Sequence, residues 1–301
     1  MRLVVAVGGN ALLERGEVPV AEIQEGHVAV AVVALARLAS DNELVVTHGN
    51  GPQVGLLANE SAADPDLPGP YPMDVLGAES QGMIGYFFLQ ALENALPGRN
   101  VVSLICQTEV DVADPAFTDP TKFVGPVYTR AVAEELAARR GWQIREDGTA
   151  WRRVVPSPEP RAIVELGMIR VAVGAGAVVI CAGGGGIPVV REDDGRLRGA
   201  EAVVDKDLAA ALLARELGAD ALILLTDVDG VEAGFGTPEA TLIRHTTAAE
   251  LRAGTFPAGS MGPKVDAACR FVEATGRPAM IGRIEDTVEL LKGSRGTIIG
   301  S

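Results

Sequence analysis

Positive charge, cysteine and long apolar runs are what this 301-residue sequence has least of. Its 26 Lys and Arg face 40 Asp and Glu, a formal net charge of −14 at pH 7. No basic stripe or block of like charge breaks that balance along the chain. Nucleic acid and acidic membrane surfaces are therefore not the expected partners. An anionic ligand would have to be held by a few placed cations. The three cysteines, Cys106, Cys181 and Cys269, are far apart, each in an apolar run. They read as buried free thiols in a reducing compartment, not as a disulfide set or a metal site. No apolar run reaches membrane-spanning length. The opening "MRLVVAVGGN" enters a glycine loop too soon for a signal peptide. A soluble, cytoplasmic chain is expected. Low-complexity tracts and short repeats are also missing, and so is the G-x-x-x-x-G-K-[ST] pattern of a P-loop. "GAGAVV" (174–179) precedes an apolar run instead of following one, which fits a dinucleotide fingerprint poorly.

What the sequence does have is 48% hydrophobic residues, ample for one large α/β domain or two smaller ones. Short Val- and Ile-rich runs recur: "LVVAV" (3–7), "LVVTH" (44–48), "VVSLIC" (101–106), "AVVICA" (177–182), "ALILLT" (221–226), "AMIG" (279–282) and "TIIG" (297–300). Most lack polar alternation, as strands buried on both faces of a parallel sheet do. Helical patterns separate them at 27–40, 74–96 and 205–218, and again after Pro263, which suits a first helical position. The alternation predicts an open, mainly parallel sheet with helices on both faces. From about Pro115 to Pro160 the chain is richer in Pro, Trp and charge, and "GWQIREDGTAWRRVV" (141–155) reads as a hairpin turning at Asp147-Gly148. This segment is expected to be an inserted subdomain, with the sheet before it and the sheet after it forming two lobes around a cleft.

Three predicted strands run into glycine loops: "GGNALL" (8–13), "HGNGPQVG" (48–55) and "GGGGIP" (183–188). Glycine lets backbone approach a ligand closely, and open α/β sheets bind ligands beyond the carboxyl ends of their strands. One such loop is a turn. Three at one sheet edge point to an anion cradle. Lys264 sits in the first turn of a helix, behind the loop "GSMGP", where partial positive charge already collects. A surface lysine explains it blandly; an anion served by both the lysine and the helix end explains it better. "VVDKDLAAALLA" (203–214) places Asp205, Lys206 and Asp207 at a helix start. Asp205 reads as an N-cap, and Lys206 and Asp207 as functional. "LLTDVDG" (224–230) fits a plain turn as well as a nucleotide contact.

Nine ordered blocks carry a resemblance: "VGGNAL", "THGNGPQVG", "DVLGAESQGMIGY", "DPTKFVGPVYT", "WRRVVPSP", "CAGGGGIPV", "VDKDLAAALLA", "LLTDVDGV" and "GSMGPKVDAACRFV". They are similar to the signature blocks of carbamate kinases, in the amino acid kinase superfamily. The resemblance implies a three-layer α/β sandwich, a homodimer formed through the N-terminal lobe, and phosphoryl transfer between ATP and carbamate, giving carbamoyl phosphate and ADP with Mg²⁺ on phosphate oxygens. It carries three active-site lysines onto Lys122, Lys206 and Lys264 and a lysine-orienting aspartate onto Asp207. Phosphate and carbamate contacts fall on Gly8, Gly9, Asn10, Gly49, Asn50 and Gly51. Nucleotide contacts fall on Thr226, Asp227, Val228 and Asp229, with Met261 and Gly262 beside the Lys264 helix. No side chain is assigned to a metal. The implied division is residues 1–202 for acceptor binding and dimerisation, including a lid at 115–160, and 203–301 for the nucleotide.

Two departures stand out. Many superfamily members carry a lysine two residues before the first loop glycine, where this chain has Ala6. Lys122 from the insert is the candidate replacement, which would make the insert a mobile lid. After "TDVDG" the chain reads "VEAGFGTPE" (231–239) where carbamate kinases usually have a Tyr and an Asn. The rival readings are an acetylglutamate kinase type of enzyme, or a silent relative that binds nucleotide or carbamoyl phosphate.

Overall fold

The computed structural model describes residues 1–301 except 10–11, 14–16, 65, 68 and 258–260. The chain begins β1 (Arg2–Val7), α1 (Ala21–Ala39), β2 (Glu43–His48), α2 (Gly51–Ala63), α3 (Met73–Ala95), β3 (Val101–Ser103) and β4 (Gln107–Glu109). The insert follows as β5 (Lys122–Tyr128), α4 (Arg130–Arg140), β6 (Gln143–Asp147) and β7 (Ala150–Val155). Next come β8 (Ala162–Ile163), α5 (Leu166–Gly174), β9 (Val178–Ile180), β10 (Ile187–Arg191), β11 (Leu197–Gly199), α6 (Lys206–Leu217) and β12 (Ala221–Thr226). The remainder is β13 (Glu232–Ala233), β14 (Thr241–Leu242), β15 (His245–Thr247), α7 (Ala248–Arg252), α8 (Met261–Thr275), β16 (Ala279–Arg283), α9 (Thr287–Leu291) and β17 (Thr297–Gly300).

Eight strands form the central sheet in the order β15-β17-β16-β12-β1-β2-β9-β3. Strands from before and after the insert interleave: β1 pairs in parallel with β12 and β2, and β9 lies between β2 and β3, so the two sheets expected on either side of the insert are one. Among the described residues β16–β17 is the one antiparallel pair of this sheet, so β17 and its parallel neighbour β15 run against the other strands. The unbroken apolar runs follow from burial on both faces. Along β1, Leu3, Val5 and Val7 join the core under α1, α3 and α9, while Val4 and Ala6 join the core under α5, α6 and α8. Successive side chains of a strand point to opposite faces, so one short strand feeds two cores. This is the expected three-layer α/β architecture.

Three local expectations need correction. The strand expected over 101–106 stops at Ser103, because the Gln81 side chain clamps the backbone beyond it: its amide accepts from the Cys106 N–H and donates to the Cys106 carbonyl, each at 3.0 Å. The strand expected over 177–182 is shorter too, since Ala182 turns the chain at φ 50. Helix α8 starts at Met261, so Pro263 is its third residue, still within the first turn where an N–H has no partner inside the helix.

The insert forms a separate three-stranded sheet, β5-β7-β6. The expected hairpin is there, with Asp147 opposite Ala150 and Gly148 at φ 66 in its turn. The insert rests on α2: a Cβ on Gly55 would lie 2.7 Å from the Gly125 Cα, so Gly55 is needed for that approach, while Gly125 is called for by its φ of 72. A four-stranded sheet, β11-β10-β4-β8, lies beside them.

Candidate active site

Because β1, β2, β9 and β12 are parallel neighbours, the loops at their carboxyl ends emerge on one edge. Gly8 and Gly9 follow β1, Gly49–Gly51 follow β2, the glycines 183–186 follow β9, and Thr226–Asp229 end β12. The loops touch one another. A Cβ on Gly49 would stand 2.7 Å from the Gly9 nitrogen, and one on Gly184 would strike the Asn50 side chain. Gly51 faces open space. Asn50 precedes α2 and does not cap it; its amide donates to the Ser80 hydroxyl on α3 at 2.8 Å. Asn10 lies outside the described residues.

Two helix starts bring the charges to this edge. Asp205 caps α6, its Oδ1 accepting the N–H groups of Asp207 at 2.9 Å and Leu208 at 3.3 Å. The carboxylate of Asp207 is shared: Lys206 Nζ donates to Oδ1 at 2.6 Å and Lys264 Nζ, from the first turn of α8, donates to Oδ2 at 3.2 Å. These three side chains are 12%, 6% and 13% exposed for Lys206, Asp207 and Lys264. Lys122, the first residue of β5, reaches the same helix start and donates to Asp205 Oδ2 at 2.7 Å.

Burial by itself would raise the Asp207 pKa; the adjacent ammonium groups of Lys206 and Lys264 outweigh it and take the carboxyl down to about 2. Burial pushes Lys206 below the usual lysine range, opposed by Asp207 and reinforced by Lys264. Three ammonium groups thus converge on two carboxylates. A surplus positive charge, partly buried at a glycine-lined sheet edge, can hold an anion.

Comparison with known proteins bears on which anion. Residues 1–283 match the amino acid kinase family. The chain is 53% identical to a carbamate kinase of Rhizobium meliloti over 305 residues, covering 100% of this chain and 94% of that one. It is 51% identical to a carbamate kinase of Escherichia coli K12, covering 99% and 98%. A solved carbamate kinase from Giardia lamblia bound to AMP-PNP superposes with a TM-score of 0.91 at 41% identity, over 99% of this chain and 98% of that one.

The chain belongs to the carbamate kinases of the amino acid kinase family.

Within this carbamate kinase, Lys122, Lys206, Asp207 and Lys264 come together as one group although 142 residues of sequence separate the first from the last. The β12 loop shares the edge, but its polar groups are already engaged: Thr226 donates to Asp227 at 3.1 Å, and Asp229 pairs with Arg283 at the end of β16 at 2.5 Å. The Gly262 N–H donates to the Pro257 carbonyl at 2.8 Å, so it is not one of the outward-facing donors that the glycine-rich loop suggests.

Sequence reasoning gave Asp205 only its capping task; the structure adds the ion pair with Lys122. It also passed over His48. That imidazole is fully buried, stacked on Phe88 with centroids 5.9 Å apart, and its Nδ1 lies 3.0 Å from the Gly49 carbonyl. A carbonyl only accepts, so Nδ1 carries the proton. Burial drives the His48 pKa down to about 4, against the pull of the Gly49 carbonyl and helped by Lys206. A polar residue ending the apolar run "LVVTH" was the available signal.

Proposed function

We propose that Lys122, Lys206 and Lys264 are the cations of the phosphoryl-transfer centre and that Asp207 orients two of them. As a carbamate kinase the chain is an ATP-dependent carbamate phosphotransferase. A carbamate oxygen attacks the γ-phosphorus, the bond from that phosphorus to the β,γ-bridging oxygen breaks, and carbamoyl phosphate and ADP form; the reverse step makes ATP. In such transfers the protein mainly positions groups and neutralises charge on the oxygens around phosphorus. The shared Asp207 carboxylate carries this reading: it holds two buried ammonium groups at fixed points before substrate arrives, so little reorganisation is left for the reaction. Backbone N–H groups of the Gly8–Gly9 and Gly49–Gly51 loops would serve the phosphate and the carbamate, together with Asn50 and Asn10. Thr226 to Asp229, Met261 and Gly262 would line the nucleotide.

Magnesium fits this donor set only on the nucleotide. Asp207 is already taken by two lysines, and among the described residues no group of three or more His, Cys, Asp or Glu is gathered for a metal. Mg²⁺ would therefore be carried by phosphate oxygens and supply further charge neutralisation there. Residues 1–202 would form the acceptor and dimer lobe and 203–301 the nucleotide lobe, the charges coming from both. Exposed Tyr86 on α3 and Ile105 beyond the edge strand β3 are consistent with a homodimer formed through the first of these. No helix among the described residues is long and apolar enough to cross a membrane; we infer a cytoplasmic enzyme from the three buried free thiols.

Acceptor choice is the decisive test. An acetylglutamate site needs a cation for the α-carboxylate. Residues 69–82 hold no Lys or Arg, and their charges are Asp74 and Glu79. The nearby arginines are occupied: Arg152 donates to the Gly125 carbonyl at 2.6 Å and pairs with Asp147 at 3.3 Å, and Arg153 pairs with Glu201 at 2.7 Å. The expected result is ATP formed from carbamoyl phosphate and ADP, with no detectable use of acetylglutamate, glutamate or aspartate. Purified protein that phosphorylates acetylglutamate and ignores carbamoyl phosphate would leave the family assignment standing and this reading of the site overturned.

A further inference from the structure

The insert presents a second cation beside Lys122. In the β5–β7 ladder Lys122 stands opposite Val155 and Val124 opposite Arg153. Opposed residues and alternate residues of a ladder share a face, so Lys122, Val124, Arg153 and Val155 project together. Val124 and Val155 are buried there against Val54, Met73 and Leu76, which makes this the inner face. What it meets is the stretch 200–205 leading into α6. Three contacts tie the two together. Arg153 Nη2 donates to Glu201 Oε1 at 2.7 Å, the Val203 N–H donates to the Pro156 carbonyl at 2.9 Å, and Lys122 donates to Asp205 at 2.7 Å.

The two ion pairs differ in kind. Glu201 is itself anchored, since its Oε2 accepts the Met73 N–H at the start of α3 at 2.8 Å. Arg153 is fixed from the other side: its side chain is 11% exposed and its guanidinium lies 4.9 Å over the Trp142 ring. Its Nε is buried and has no partner among the described residues, and its Nη2 pairs with Glu201. An exposed ion pair contributes little, but removing one member of a pair whose other member is buried strands a charge. Lys122, by contrast, must leave Asp205 to serve a phosphoryl group.

We propose that the Glu201–Arg153 pair is a positioning device for the transfer step, holding the inner face of the insert in register on residues 200–205 so that Lys122 reaches the transferring phosphoryl group. The inference rests on the reading of Lys122 as a cation of the transfer centre. Arg153 and Glu201 touch no reacting atom; they act through Lys122. A misplacement of about 1 Å in such a group costs on the order of a hundredfold in rate, so even a partly slackened anchor is measurable.

The test is a double-substitution cycle read by ATP formation from carbamoyl phosphate and ADP. Glu201→Gln is expected to lower kcat roughly tenfold or more, with the KM for ADP within about twofold; the stranded Arg153 guanidinium lowers the melting temperature, so turnover is measured where the variant is still folded. In a Lys122→Ala background Glu201→Gln should cost nothing further, because the group it positions is gone. Arg153→Lys, which keeps the charge and loses the planar fork, should reproduce the kcat loss should Glu201→Gln fold poorly. Glu159→Gln, which breaks the exposed pair with Arg270 at the base of the insert, should leave turnover unchanged. Full kcat in Glu201→Gln and Arg153→Lys, with Lys122→Ala impaired, overturns the anchor. Losses that multiply in the double variant also overturn it, since Glu201 would then act apart from Lys122. Normal turnover in Lys122→Ala alone defeats the underlying reading of that lysine, and the anchor with it.

Discussion

Asp207→Asn separates the electrostatic task of this residue from its shape. The adjacent ammonium groups hold the wild-type carboxyl down at about 2, against roughly 3.9 in an unfolded chain, a difference worth about 2–3 kcal/mol. The folded-state value is depressed, so this stability is fully present above about pH 4 and is lost as pH falls through 2. At pH 7 the variant should therefore unfold at lower urea, by about 2–3 kcal/mol, and the gap to wild type should close between about pH 4 and pH 2. Turnover should fall on the order of a hundredfold or more, the scale for losing a preorganised charge contact. Without the carboxylate, Lys206 and Lys264 repel each other and Asp205 is left as the weaker counterweight to burial at Lys206. Its pKa drops further, and turnover of the variant should recover in part as pH is lowered and that ammonium reforms. The measurements are urea titrations across pH and the coupled assay for ATP from carbamoyl phosphate. A variant whose folded fraction turns over normally would reduce Asp207 to a helix-start residue. A stability gap that stays constant down to pH 2 would refute the charge argument.

Lys264→Ala should lower turnover by about a hundredfold and melt below wild type because Asp207 loses one of its two ammonium partners, as the coupled assay and a thermal scan can check; near-normal turnover would leave Lys264 as a structural ion-pair partner only. Hydrogen exchange across 115–160 should slow when ATP or a phosphate-transfer analogue binds, and Lys122→Ala should reduce kcat more than nucleotide affinity. Unchanged exchange with ligand demonstrably bound would count against a closing lid. His48 titrates at about 4 instead of 6.5, so it is neutral in the working range and its burial favours the fold above pH 6.5. That contribution, up to about 3 kcal/mol, is lost as pH falls from 6.5 to 4. His48→Gln should flatten acid unfolding in that window, and an unaltered acid profile would mean that another group drives it.

Much of this was legible because each signal was local. Apolar runs such as 3–7 and 221–226 become central strands since burial on both faces is the only use for an uninterrupted Val/Ile/Leu segment. The helix start at Asp205 announces itself through capping chemistry, whereas that of α8 was read two residues late, from Pro263. The three lysines were reached through matched blocks, not through spacing, because nothing in the residues between 122 and 206 says that they meet. For the same reason the partners of Lys122 and Arg153 stayed hidden. Asp205 and Glu201 lie in a segment without periodicity, and only the ladder of the insert brings them opposite those cations. The strand ends at Ser103 and Ile180 were missed because a distant Gln81 side chain and a left-handed Ala182 decide them.

The place of β1 in the middle of the sheet has a consequence for biosynthesis. Leu3 pairs with Leu44 on one side and Ala221 on the other. A ribosome adding about 5–20 residues per second takes some 10–40 seconds to deliver the second partner after the first strand has emerged. Throughout that interval a Val- and Leu-rich strand has one hydrogen-bonding edge unsatisfied, the geometry that invites pairing with another nascent chain. The sheet can be completed only late in translation, so the enzyme's yield in a cell depends on shielding its first seven residues until the last third of the chain arrives.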